Sequence, residues 1–221
     1  MSAATIPTAY IRSVLPPRDE VLDKVLRHSL LDKRMPAIQV DDNAGRVLQL
    51  LTAIHAPRKV IEIGALFGYS TIHIARALAP GAMLIALEID AAAAALAQQN
   101  VDAAGLGDRV SIENSDAIEY LRNLPAESVD MVFVDGAKHD YPNYLKHAFR
   151  ALKPGGLLIA DDAFAQADFA AAEGLDDNDV ELRGIETYNR VVGRSPKLFS
   201  AFLGTTNGFL VSRKNAPEDP S

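Results

Sequence analysis

One segment constrains this chain more than any other: a short apolar run that breaks into a turn with two glycines and then into a helix. It reads Val60-Ile61-Glu62-Ile63-Gly64-Ala65-Leu66-Phe67-Gly68-Tyr69-Ser70 and continues to Leu78. The run Val60 to Ile63 is a buried strand, and the helix begins at Ser70 or Thr71. Gly64 and Gly68 allow backbone to approach a ligand closely. The helix start offers free N–H groups to an anion such as a carboxylate. The spacing is Gly-x-x-x-Gly and not the Gly-x-Gly-x-x-Gly that accommodates a dinucleotide pyrophosphate, so a nicotinamide-binding reading is disfavoured.

From Pro57 onward, short apolar runs alternate with amphipathic helices, as in a mostly parallel α/β sheet with helices on both faces. The expected strands are Lys59–Ile63, Met83–Glu88, Val110–Glu113, Met131–Val134, Leu157–Ala160, Leu198–Leu203 and Gly208–Ser212. Helices are expected at about Ser70–Leu78, Asp90–Ala104, Ala117–Asn123, Tyr141–Leu152 and Gly184–Val192. Only Gly204 to Asn207 join the last two strands, too few residues for a parallel crossover, so these strands form an antiparallel hairpin. Before the sheet, Pro16 and Pro17 open a helix from about Arg18 to Leu31, and a second runs from Asp42 to Ile54, capped by Asp42 or Asn43. The expectation is one domain over residues 1–221, with residues 1–40 as accessory helices.

Composition narrows the partners. Hydrophobic residues make up 48% of the chain, too many for a disordered sequence. The 22 basic residues against 29 acidic ones give a net charge of −7 without a basic run, which opposes general binding to a phosphate backbone. A structured RNA bound through one local basic pocket stays open. The absence of cysteine excludes disulfides and thiolate metal sites, so any metal takes oxygen or imidazole ligands. Neither a secretory leader nor an apolar run of about 20 residues is evident, and the expected location is the cytoplasm, away from membranes.

Acidic residues recur at the expected strand ends. Glu62 stands inside an apolar strand, where an unpaired carboxylate is costly, so it should accept hydrogen bonds or meet a cation, such as the ammonium of a methionine moiety, directly or through the N–H groups of the loop. Glu88 closes the second strand, where an acid accepts ribose hydroxyls in nucleoside-binding α/β folds. Asp116 follows the third strand, within reach of an adenine. Asp135, Asp161 and Asp162 follow the fourth and fifth strands, and ligands of open α/β sheets bind beyond these ends. Three converging carboxylates repel one another, and a hard divalent cation, Mg²⁺, Mn²⁺ or Ca²⁺, relieves that repulsion.

With these segments in order, EIGALFGYS at 62–70, ALEID at 86–90, VFVDGAKHDY at 132–141 and LKPGGLLIADD at 152–162, the chain resembles the cation-dependent O-methyltransferases. That family includes catechol and caffeoyl-CoA O-methyltransferases and small bacterial relatives, and the resemblance spans about Met35 to Lys214. It implies a Rossmann-like class I methyltransferase fold with a seven-stranded sheet ending in the antiparallel hairpin. It further implies S-adenosylmethionine as cofactor. Val40, Glu62, Gly64, Ala65, Gly68, Tyr69 and Ser70 then fall on or beside cofactor contacts, together with Glu88, Ile89, Asp116, Ala117 and Asp135. Asp135, Asp161 and Asp162 become the metal ligands, and Lys138 the general base. One departure is plain, since the family pattern has Asp-Asn where this chain has Asp161-Asp162.

The implied reaction is in-line methyl transfer to a metal-chelated hydroxyl of a small catechol-like or other aromatic acceptor, with Lys138 taking the proton. Two other readings stay open: the same chemistry on a hydroxylated uridine of transfer RNA, and cofactor binding without turnover. A basic cluster of Arg27, Lys33, Arg34 and Lys59 near the site would favour the RNA reading. The segment 164–179 is the expected acceptor-side loop. The resemblance also implies a homodimer.

Overall fold

The computed structural model describes residues 6–164 and 179–216. Three helices precede the sheet: α1 (Thr8–Val14), α2 (Glu20–Arg27) and α3 (Asp42–His55). Strands and helices then alternate as β1 (Lys59–Ile63), α4 (Tyr69–Arg76), β2 (Met83–Glu88), α5 (Ala91–Ala103), β3 (Val110–Asn114) and α6 (Ala117–Asn123). The chain continues through β4 (Val129–Val134), α7 (Tyr141–Ala151), β5 (Leu152–Ala160), α8 (Val180–Gly193), β6 (Leu198–Leu203) and β7 (Phe209–Lys214). The seven strands form one sheet in the order β3-β2-β1-β4-β5-β7-β6. Strands β1 to β5 pair in parallel, and β7 runs antiparallel between β5 and β6. This is the expected α/β architecture with its closing hairpin.

Alternation along the strands sends side chains to two cores, which is why the central strands are apolar throughout. Val60, Leu84, Met131, Phe133 and Ile159 pack toward residues of α2, α3, α4 and α5. Ile61, Ile63, Val132, Val134 and Leu158 pack toward residues of α6, α7 and α8. Each fully buried aliphatic side chain contributes about 1.5–3 kcal/mol relative to exposure. Among the described residues, no helix is long and apolar enough to cross a membrane.

The structure shifts several boundaries. Strand β5 begins at Leu152, not Leu157, because the Lys153-Pro154-Gly155-Gly156 stretch is carried in the sheet across an irregularity in the β4 pairing between Val129 and Met131. Asp19 caps α2, accepting from the backbone N–H groups of Val21 and Leu22. That helix loosens after Arg27 into a π turn over His28–Asp32. Asp41, one residue earlier than expected, caps α3 by accepting from the N–H groups of Asn43 and Ala44. Helix α1 lies within the expected accessory helices of residues 1–40, but its bounds were not legible: it fully buries no residue, so it carries no apolar stripe to read.

Candidate active site

Because β1, β2, β4 and β5 are parallel, their carboxyl ends share one edge of the sheet. The chain leaves β1 for β2 on one side, while β4 pairs on the other. This strand-order reversal opens a crevice, occupied here by a cavity of about 680 Å³, a size suited to a small-molecule ligand.

The glycine turn forms the floor. Gly64 has φ +90°, and a side chain there would collide with the carbonyl of Asp135. Gly68, at φ +87°, precedes the first turn of α4. The Glu88 carboxylate accepts from the N–H of Leu66 at 2.8 Å and of Asp90 at 2.9 Å, so it faces the cavity and also ties the loop down. Asp116 caps α6, accepting from the Glu119 N–H at 2.9 Å, and lines the cavity with Ser115 and Ala117. Gly64, Ala65, Tyr69, Ser70, Glu88, Ile89 and Asp135 also line it.

Three residues expected at the cofactor lie behind its walls. Val40 is packed in the core beside α2 and α3, and Gly68 does not line the cavity. Glu62 is fully buried and accepts from Ser70 Oγ at 2.5 Å and Thr71 Oγ1 at 2.6 Å. Its need for donors is met by the hydroxyls of α4, not by the N–H groups of the loop. Burial pushes its carboxyl up to about 7, against the pull of the two hydroxyls and with a small upward push from Asp135 and Glu88. Glu62 therefore anchors the first turn of α4 to β1.

At the ends of β4 and β5, one ligand atom from each of Asp135, Asp161 and Asp162 lies within 4.8 Å of the others. Burial raises the pKa of Asp161, and the neighbouring charges of Asp135 and Asp162 raise it further. Burial likewise raises that of Asp135, against the ammonium of Lys138. Asp162 holds φ +54°, a left-handed conformation after which Ala163 and Phe164 donate to the carbonyls of Gly208 and Asn207. Lys138, from the short 3₁₀ turn Lys138–Asp140, places Nζ 2.6 Å from Asp135 Oδ1 and 2.7 Å from Asp162 Oδ2. It also donates to Tyr141 Oη at 3.0 Å. Burial alone would pull the Lys138 ammonium down, but Asp135, Tyr141 and Asp162 outweigh it and hold the group well above its ordinary value.

Two contributors escaped the sequence. Tyr141 is buried and also donates toward the carbonyls of Val134 and Asp161; it stood at the end of the VFVDGAKHDY block but read only as a helix start. Glu181, from α8, accepts from the backbone N–H groups of Lys138 at 2.7 Å and His139 at 3.2 Å and meets His139 Nδ1 at 2.6 Å. No local motif marks an acid 43 positions beyond the lysine it braces. Most of the expected acceptor-side segment 164–179 lies outside the described residues. None of Arg27, Lys33, Arg34 and Lys59 lines the cavity, and Lys59 starts β1 at the opposite edge of the sheet.

Comparison with known proteins agrees with this geometry. Residues 13–215 match the family model described as O-methyltransferase. The chain is 37% identical over 199 residues to a catechol O-methyltransferase of Niastella koreensis, covering 88% of this chain and 87% of that one. It is 28% identical over 197 residues to a catechol O-methyltransferase of Mycobacterium tuberculosis, covering 89% and 87%. Among solved structures, the O-methyltransferase from Bacillus cereus in complex with SAH superposes with a TM-score of 0.86 at 30% identity, covering 96% of this chain and 98% of that one. The chain thus belongs to the O-methyltransferase family and is an S-adenosylmethionine-dependent O-methyltransferase.

Proposed function

We propose that the enzyme methylates a hydroxyl of a small catechol-like or other vicinally oxygenated aromatic acceptor, held at a divalent cation by Asp135, Asp161 and Asp162. The carrying observation is the convergence of these three carboxylates beside Lys138 at the edge of the cofactor crevice. The donor set fits a hard cation. It is all oxygen, and burial plus mutual repulsion leave Asp161 poorly compensated until positive charge arrives. The relatives from N. koreensis and M. tuberculosis bear the name catechol O-methyltransferase, which supports the acceptor class.

In this reading the glycine turn and the start of α4 would hold S-adenosylmethionine by its carboxylate, and Glu88 would accept its ribose hydroxyls. Asp116 and Ala117 would contact the adenine. Ser70 and Thr71, pinned by Glu62, hold the turn in place. A divalent cation, Mg²⁺ first and Mn²⁺ or Ca²⁺ as alternatives, supplies the Lewis acidity that lowers the pKa of a chelated hydroxyl. A cation held by Asp135 and Asp162 would offset the charges that keep Lys138 protonated, and the burial of Lys138 would then favour the free amine able to take the acceptor's proton. The rest of the task is alignment of acceptor oxygen, methyl carbon and sulfur with water excluded.

The transfer-RNA reading is kept as the alternative; the four basic residues that would carry it do not line the cavity. We also keep a homodimer and a cytoplasmic location as part of the proposal, the first checked by analytical ultracentrifugation. Calorimetric titration with S-adenosylmethionine, followed by methyl transfer to a catechol panel with and without Mg²⁺, tests the whole reading. Binding with Mg²⁺-dependent turnover, lost in Lys138→Met with cofactor affinity retained, is expected. Turnover on bulk transfer RNA alone overturns the acceptor class, and binding without any turnover supports a non-catalytic role.

A further inference from the structure

A second cavity, of about 350 Å³, lies outside the crevice and shares no lining residue with it. Its apolar lining comes from the N-terminal segment: Ile6, Ile11, Leu15, Pro16 and Pro17. Its charged lining is Arg12, Arg18 and Arg46 with Asp41 and Asp42. Three cations against two anions leave a charge of +1 (3 − 2), and both acids are already engaged. Asp41 accepts from the first N–H groups of α3. Asp42 accepts from Tyr69 Oη at 2.6 Å and from Arg18 at 3.0 Å. Arg46 uses one nitrogen on the carbonyl of Pro16. Among the described residues, neither Arg12 nor Arg46 has an ion-pair partner.

We infer that this cavity is a second small-molecule site, taking a carboxylate attached to a compact apolar body. Two guanidinium groups with uncommitted N–H donors match a carboxylate in charge and in forked geometry. The wall of Ile11, Leu15 and the two prolines suits an aromatic or branched alkyl body. A large polyanion is disfavoured by the size of the cavity and by the net charge of −7. The site is linked to the cofactor crevice through Asp42, whose hydrogen bond reaches Tyr69 in the first turn of α4.

Calorimetric titration with sodium benzoate tests this, in protein saturated with S-adenosylhomocysteine so that the crevice is filled, and again without that ligand so that a failure of the cofactor reading leaves the result interpretable. The expected result is one saturable benzoate per chain, with benzamide at least tenfold weaker because it lacks the charge. Arg12→Glu should weaken benzoate at least tenfold and leave S-adenosylhomocysteine affinity unchanged; Arg12 lies on a helix with no buried residue, so this variant retains the fold. No saturable binding, equal affinity for benzamide, or unchanged affinity in Arg12→Glu overturns the site. Inorganic phosphate binding as tightly as benzoate overturns the role of the apolar wall.

Discussion

The Lys138 ammonium lies 2.7 Å from the Asp162 carboxylate, and the same nitrogen lies 2.6 Å from Asp135. One lysine is thus shared between two of the three acids proposed to hold a cation. An asparagine at 162, the residue of the family pattern, could accept the hydrogen bond but would leave Lys138 with one anionic partner in place of two. The charge difference bears on the cation and not on the fold, since the residue is a single turn position at φ +54°.

Asp162→Asn should therefore weaken Mg²⁺ binding about tenfold, equivalent to about 1.4 kcal/mol of lost attraction. The melting temperature should hold or rise, because asparagine tolerates the left-handed region well. Calorimetric Mg²⁺ titration and thermal denaturation in chelator measure the two effects separately. Unchanged Mg²⁺ affinity would remove Asp162 from the proposed ligand set.

Stability should depend on pH in a definite sense. Burial raises the carboxyl of Glu62 from its ordinary value of 4.5 to about 7, and Asp135 and Asp161 are raised as well. A raised acid binds more protons folded than unfolded, so folding stability falls as pH climbs from the unfolded value through the folded one. For Glu62 that window runs from about 4.5 to about 7. Metal-free protein should melt progressively lower across it, and Mg²⁺ should raise the melting temperature more at pH 8 than at pH 5. A flat profile in chelator would contradict the assignment.

Gly64→Ala should disable the cofactor loop. The added carbon meets the carbonyl of Asp135, and the backbone is already at φ +90°, so the variant carries both a clash and left-handed strain of about 1–3 kcal/mol. Urea denaturation should show that loss, and titration should show S-adenosylmethionine affinity reduced at least tenfold. Wild-type affinity would mean that the loop relaxes without consequence for the ligand.

Glu181→Ala should release the turn that carries Lys138. The side chain accepts two backbone N–H groups there, and each such bond on a half-exposed carboxylate is worth about 0.5–1 kcal/mol. Turnover should fall roughly tenfold while cofactor affinity stays constant. Glu181→Gln, which retains an acceptor oxygen, should recover part of the rate. Equal rates in both variants and wild type would assign Glu181 to fold stability alone.

Seven strands, their order of appearance and the closing hairpin were legible in the sequence, because apolar alternation, glycine punctuation and short connections act over a few residues. The strand-end acids Glu88, Asp116, Asp135, Asp161 and Asp162 were legible for the same reason: a parallel sheet puts every strand's carboxyl end on one edge. The bounds of helix α1 were not, since a helix with no buried face leaves no period. Nor were the partners of Glu62, the bracing of Lys138 by Glu181 or the hydroxyl of Tyr141 beside it. These depend on distances between segments far apart in the chain, which only packing sets. Local pattern determined which elements form and which residue types reach the crest; tertiary structure alone decided that Lys138 sits between two carboxylates, because that position is the sum of strand register, helix docking and charge.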